Sequence, residues 1–197
     1  MRAEGLGFTM GYPIRPEVIP GHLKVGWIIV QQMPVYVRPI GVRSFLPIAL
    51  QPLAPIANAV LRALQSWTLI RTAGYTTEIL TREAFVSGLS VSLEYNSFLS
   101  SWMAQQDNAL VKDSAFLRWR TAAPGTEYYF LPLRFNGHLV GLAIARPTRL
   151  KEIETLAVLD FMILNSHLAG GRTLHSGLKQ LAQDKGTDLV ACMTSAK

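Results

Sequence analysis

Two neighbouring stretches hold the side chains best suited to chemistry. In the apolar run 153–163, strand alternation places Leu156, Val158, Asp160 and Met162 on one face. A carboxylate in that company is desolvated, which pushes its pKa upward into the range useful to a general base. Asp160 is therefore the candidate base, and Glu154 is second because it sits nearer the strand's exposed start. The plain alternative for Asp160 is a carboxylate accepting from nearby backbone N–H groups. Just downstream, His167, Gly170, Gly171, Arg172 and Thr173 lead into a segment whose Leu174, Leu178, Leu181 and Ala182 share one helical face. The first N–H groups of a helix lack partners and carry partial positive charge, so such a start attracts phosphate. The Arg172 guanidinium offers a second way to bind one. The competing reading is two glycines that shape a turn before a packing helix.

These residues need a scaffold, and the sequence predicts one. Residues 127–135 and 138–146 flank Asn136-Gly137, the dipeptide that most readily supplies the positive φ angles of a tight hairpin. The run 153–163 continues the sheet, and Gly186 ends the helix that follows the glycine pair. The chain then returns as a strand over 187–193. The prediction is a mixed sheet with the 172–185 helix packed on one face through Leu174, Leu178 and Leu181.

This order, with the loop it carries, resembles the second half of a GCN5-related N-acetyltransferase (GNAT) domain. In that family a loop of the form Q/R-x-x-G-x-G/A opens a helix, and its amides hold the pyrophosphate of acetyl-CoA. The matching residues are 167–172: Gly170 fits the central glycine, His167 replaces the Gln/Arg and Arg172 replaces the last small residue. A second patch, 98–130, is similar to the segment that leads into the domain in large bacterial GNAT-like proteins, with Asp113, Trp119, Arg120 and Pro124 in the shared places. By its chemistry Trp119 is expected in the core, with Arg118 and Arg120 pairing acids; ligand binding by these groups is the alternative. A third patch, 8–40, resembles the closing strand, helix and strand of a first repeat in the same tandem proteins, through Gly11-Tyr12-Pro13, Gly26-Trp27 and the phrase from Pro34 to Pro39.

The resemblance implies an α/β (α+β layered) fold, a GNAT-like mixed sheet with flanking helices. It implies residues 1–40 as the tail of a first repeat, 41–72 as a bridge and 73–197 as a second domain without its last strands. The chain is then a shortened relative or a fragment. The implied function is transfer of an acyl group from acetyl-CoA, another acyl-CoA or a similar thioester to a small amine, without a metal. Many GNAT enzymes place a tyrosine acid after the CoA-binding helix, whereas no tyrosine follows Tyr129 here. The rival is a degenerate, non-catalytic module that completes or regulates a partner chain. A sheet lacking terminal strands leaves open edges, so a homo-oligomer or a partner chain is expected.

Composition excludes several other classes. The chain has 197 residues at 49% hydrophobic content, enough for one good core or one and part of a second. Nineteen Lys and Arg against thirteen Asp and Glu give +6, which suits an anionic ligand or a membrane surface. The basic residues are scattered rather than clustered, which speaks against nucleic acid. A single cysteine, Cys192, rules out an internal disulfide and favours a reducing cytoplasm; in an apolar strand it reads as an inert core thiol. His22, His138, His167 and His175 lack metal-ligand spacing. Nucleophile-elbow, phosphate-loop, dinucleotide and calcium-loop motifs are absent.

Residues 44–61 run without a charge between Arg43 and Arg62. Pro47, Pro52 and Pro55 argue against a regular membrane span. After Pro55 the spacing of Ile56, Val60, Leu64 and Trp67 predicts an amphipathic helix over 54–69. It reads first as a bridge packed between domains and second as a peripheral membrane contact with Arg62 and Arg71 toward headgroups.

Overall fold

The structure, a computed structural model, describes residues 16–29, 34–66, 72–107 and 109–193. The chain divides into two compact units, Met1–Met33 and Pro34–Lys197. In the first, a 3-10 turn runs into helix α1 (Ile19–Lys24). His22 fastens that turn by donating from Nδ1 to the Val18 carbonyl at 2.8 Å, and its ring meets Trp27 edge-on.

The second unit is built on a seven-stranded mixed sheet. Its strands are β1 (Val35–Pro39), β2 (Tyr75–Thr77), β3 (Leu80–Thr81), β4 (Tyr129–Phe135), β5 (His138–Leu150), β6 (Ile153–Ile163) and β7 (Leu189–Met193). Their order across the sheet is β1-β7-β6-β5-β4-β2, with β3 also beside β4. Every pair is antiparallel except β6 with β7. A parallel pair cannot be joined by a hairpin, and helix α6 (Gly171–Asp184) supplies the crossover. The predicted strands and helix are thus present, in the predicted layers.

Two hairpins set the register. Asn136 and Gly137 take φ of 48° and 88°, the left-handed pair that the β4–β5 turn requires. The β5–β6 turn reaches the same geometry without glycine, through Lys151 at φ 45° and Glu152 at φ 69°. Nothing in that dipeptide signals a turn, and β5 consequently runs to Leu150 rather than stopping near 146.

Each face of the sheet carries its own core. On one face Leu174, Leu178, Leu181 and Ala182 of α6 pack against Leu131, Leu133, Ala143, Leu156 and Val158. The other face is covered by α3 (Arg82–Ser87), α4 (Leu93–Met103) and α5 (Ser114–Arg120), where Phe85 stacks on Phe130 at 4.0 Å between ring centres. Trp119 corrects an expectation: it is 72% exposed. Helix α5 buries Leu117, and a residue two positions further on a helix points to the opposite side.

The outer edge of β7, expected to be open, is paired along β1 from Val35 opposite Met193 to Pro39 opposite Leu189. The chain leaving β1 is fastened beside it. Ile40 and Gly41 N–H donate to the Asp188 carbonyl, and Ser44 N–H donates to its carboxylate at 2.6 Å. Arg38 then ties β1 to α6, donating from Nη1 to His175 Nε2 at 2.7 Å.

That bond requires a neutral imidazole. Burial first, then the Arg38 and Lys179 charges, hold the His175 pKa below its ordinary value. The unfolded chain therefore takes up the proton more readily, so this contribution is complete above the ordinary histidine pKa, about 6.5, and is lost as pH falls below it. Thermal melts from pH 7.5 to 5.0 should show a steeper loss of stability in the wild type than in His175→Gln. Parallel curves would contradict the assignment.

Candidate functional site

The bulge in β6 decides where its side chains point. Val158 lies opposite Ala145 and Asp160 opposite Ile144, which leaves Leu159 as an extra residue. Directly opposed residues share a face. Leu156 and Val158 thus turn toward α6, while Asp160 and Met162 turn toward α3 and α4, beside Ile144 and Leu142. The expectation of one continuous face through all four is corrected; a single inserted residue reverses the alternation.

Asp160 does not stand among apolar neighbours alone. Lys112 Nζ lies 2.5 Å from its Oδ1, with the two side chains 12% and 25% exposed. Lys112 is itself built in from both sides. The buried Tyr95 of α4 donates its hydroxyl to the Lys112 carbonyl at 2.6 Å, and Asp113 caps α5 by accepting from Phe116 N–H at 2.7 Å. The Lys112 ammonium also sits 5.0 Å from the centre of the Trp102 ring. Burial, followed by the Asp160 and Asp113 charges, pushes the Tyr95 pKa upward and keeps the phenol protonated as a donor. Burial and then Asp160 also raise the Cys192 thiol, in keeping with an inert core cysteine. Sequence reasoning missed Lys112, because it lies about fifty residues away from its partner in an irregular segment.

Glu154 is placed at the other end of β6. Its carboxylate pairs with Arg149 at 3.4 Å across the hairpin, and its carbonyl accepts from Asp188 N–H. The structure does not bring Glu154 together with Asp160.

The glycine segment is wound more tightly than a loop. Residues Asn165–Gly170 form 3-10 turns that run into α6, with a kink at His167. Asn165 N–H donates to Gln105 Oε1 at 2.8 Å, His167 N–H to the Leu164 carbonyl, and Gly171 N–H to the Leu168 carbonyl. His167 Nδ1 shares a 3.1 Å hydrogen bond with the Tyr75 hydroxyl. A Cβ on Gly170 would fall 2.6 Å from Tyr75 and 2.7 Å from Leu133, so this glycine is required by close packing of the helix start on β2 and β4. Arg172 is exposed on the first turn. Beside it Thr173 is buried, and its hydroxyl has no hydrogen-bond partner among the described residues.

What links these pieces is the edge of β6. Parallel pairing with β7 runs only from Thr155 opposite Leu189 to Val158 opposite Cys192. Beyond the bulge, 159–163 continue beside β5 alone among the described residues, and lead directly into the turns that open α6. Asp160 emerges on one side of this open stretch and α6 covers the other. No cluster of His, Cys, Asp and Glu among the described residues could hold a metal ion.

Three antiparallel strands, a crossover helix with a glycine start and a further strand beside the third form the arrangement that the resemblance implied. The layout is GNAT-like. No family model matches the sequence, and no curated protein matches it. Among solved structures, the C-terminal DUF2156 domain of a protein from Agrobacterium fabrum is similar at 11% identity and TM-score 0.48, over 89% of this chain and 51% of that one. An aminoglycoside acetyltransferase from an uncultured soil metagenomic sample is similar at 14% identity and TM-score 0.45, over 62% of this chain and 78% of that one. A GNAT family acetyltransferase from Staphylococcus aureus is similar at 15% identity and TM-score 0.45, over 63% of this chain and 88% of that one. This chain spans about half the length of the first of these. They are distant likenesses, and the GNAT-like layout rests on this chain's own strand and helix order.

The Lys112–Asp160 pair is open to a direct test. Removing one partner of a largely buried pair strands the other charge. Lys112→Met and Asp160→Asn should each lower stability by about 1–3 kcal/mol, and the double variant by less than the sum of the two. Additive losses in denaturant unfolding would show that the two groups are not coupled.

Proposed function

We propose that the parting of β6 and β7 is a binding edge for an acyl-CoA or similar thioester, and that the domain transfers the acyl group to an amine. The observation that carries this reading is the stretch 159–163, which has no partner on its β7 side among the described residues and runs into the start of α6. An extended strand edge with free N–H and C=O groups pairs with an extended, amide-bearing ligand as it would with another strand. The arm of CoA between its thioester and its phosphates is such a ligand. With Gly171 N–H engaged by Leu168, contact with the phosphates falls to the exposed Arg172 guanidinium.

In this reading the acceptor reaches Asp160 on the α4 side of the sheet. The carboxylate takes one proton from the ammonium, and the amine nitrogen attacks the thioester carbonyl carbon. The C–N bond forms, the C–S bond breaks, and the second amine proton ends on the departing sulfur. Lys112 positions the carboxylate for this step.

Two observations favour a second reading, that of a degenerate module without catalysis. They are the engaged Gly171 amide and the Lys112 ammonium already on Asp160. Titration calorimetry with acetyl-CoA and with a longer acyl-CoA separates the two. The first reading expects saturable heat, weakened by about 1–3 kcal/mol in Arg172→Ala, the scale of one charge-assisted hydrogen bond. Absence of heat with either donor at millimolar concentration, on a folded chain, would establish the module instead.

A further inference from the structure

Helix α2 (Ala54–Ser66) is turned inside out. Its small and polar positions face the body of the unit: Ala54 is buried, and Asn58 Oδ1 accepts from Val42 N–H at 2.8 Å. Its large apolar side chains face outward, with Ile56 67%, Val60 56% and Leu64 69% exposed. Leu53, Ile48 and Phe45 ahead of the helix are exposed as well. A solvated helix normally shows the opposite pattern.

The charge of the segment that carries it points to what covers it, although the Asp188 carboxylate is held against Ser44 N–H at its base. From 41 to 77 the sequence contains no Asp or Glu, and its charged residues are Arg43, Arg62 and Arg71. Arg43 also lines an open cleft of about 500 Å³ at the foot of α2, together with Ile48, Pro52 and Pro55. A guanidinium beside an apolar wall matches a phosphate group above acyl chains. A second copy of this chain would instead set the same cationic segment against itself. Thirteen residues of helix span only about 20 Å, short of the roughly 30 Å hydrocarbon core, and no helix among the described residues is long and apolar enough to cross a membrane.

We infer that the outward face of α2 lies on the surface of a bilayer that contains anionic phospholipid. The apolar row enters the boundary between headgroups and acyl chains, and Arg43 meets a headgroup phosphate. This binding is independent of the acyl-transfer reading.

Co-sedimentation of the full chain with vesicles tests it. Phosphatidylcholine vesicles holding one quarter phosphatidylglycerol should capture the chain, and pure phosphatidylcholine should capture it at least about tenfold less. The combined variant Ile56→Ser, Val60→Ser, Leu64→Ser changes only exposed side chains, so its thermal melt should match the wild type. Its vesicle affinity should fall by roughly tenfold or more. Arg43→Gln should weaken capture several-fold and flatten its salt dependence. Failure to bind either vesicle, or equal binding by the triple variant, would overturn the inference. A wild-type dimer that the triple variant converts to monomer, with no vesicle binding by either, would assign the face to a second copy.

Discussion

A strand in the interior of a sheet is satisfied only while both neighbours run beside it, and among the described residues β6 outruns one of them. On the β5 side it is paired from Ile153 to Ile163; on the β7 side pairing ends at Val158. The bulge at Leu159 sits at this boundary. It bends the strand, reverses the facing of every later side chain and sends Asp160 to the face opposite α6. The placement of Asp160 follows from that one inserted residue. Because unpaired backbone groups away from water are costly, an edge of this kind is kept only where solvent, a ligand or another chain meets it.

Polar contacts around this edge are arranged to hold it rather than to close it. Lys112 reaches Asp160 because Tyr95 and Asp113 fix the irregular chain between α4 and α5. Gln105, from the same segment, accepts from Asn165 N–H and anchors the start of the turns before α6. A single connection therefore braces both the carboxylate and the helix entrance. On the far side β1 pairs with β7, Asp188 holds Ile40, Gly41 and Ser44, and His175 of α6 holds Arg38.

Much of the scaffold was legible because it is local. Asn136-Gly137 marked the β4–β5 hairpin, the apolar run 153–163 marked β6, the Leu174, Leu178 and Leu181 row marked α6, and Gly186 marked its end before β7. What was not legible depends on events that leave no local pattern. The Lys151-Glu152 turn uses residues with no preference for positive φ, so the full length of β5 was hidden. The bulge at Leu159 appears only against its partner strand, so Asp160 was assigned to the wrong face. Lys112 could not be found, since an ion pair between distant segments is a product of the fold. Trp119 misled because size favours burial, while a seven-residue helix has room to bury only one side.

The claim at the centre of this account is that the β6 edge beyond Val158 is the surface that meets an acyl thioester. Amide hydrogen exchange resolved along β6, with and without saturating acetyl-CoA, tests it most directly. The account predicts that the 159–163 amides directed away from β5 exchange readily in the free chain and slow by roughly tenfold or more with the ligand. Amides of 155–158, which lie between β5 and β7, should not change. Equal protection in both stretches, or no change at 159–163 while acetyl-CoA is bound, would contradict it.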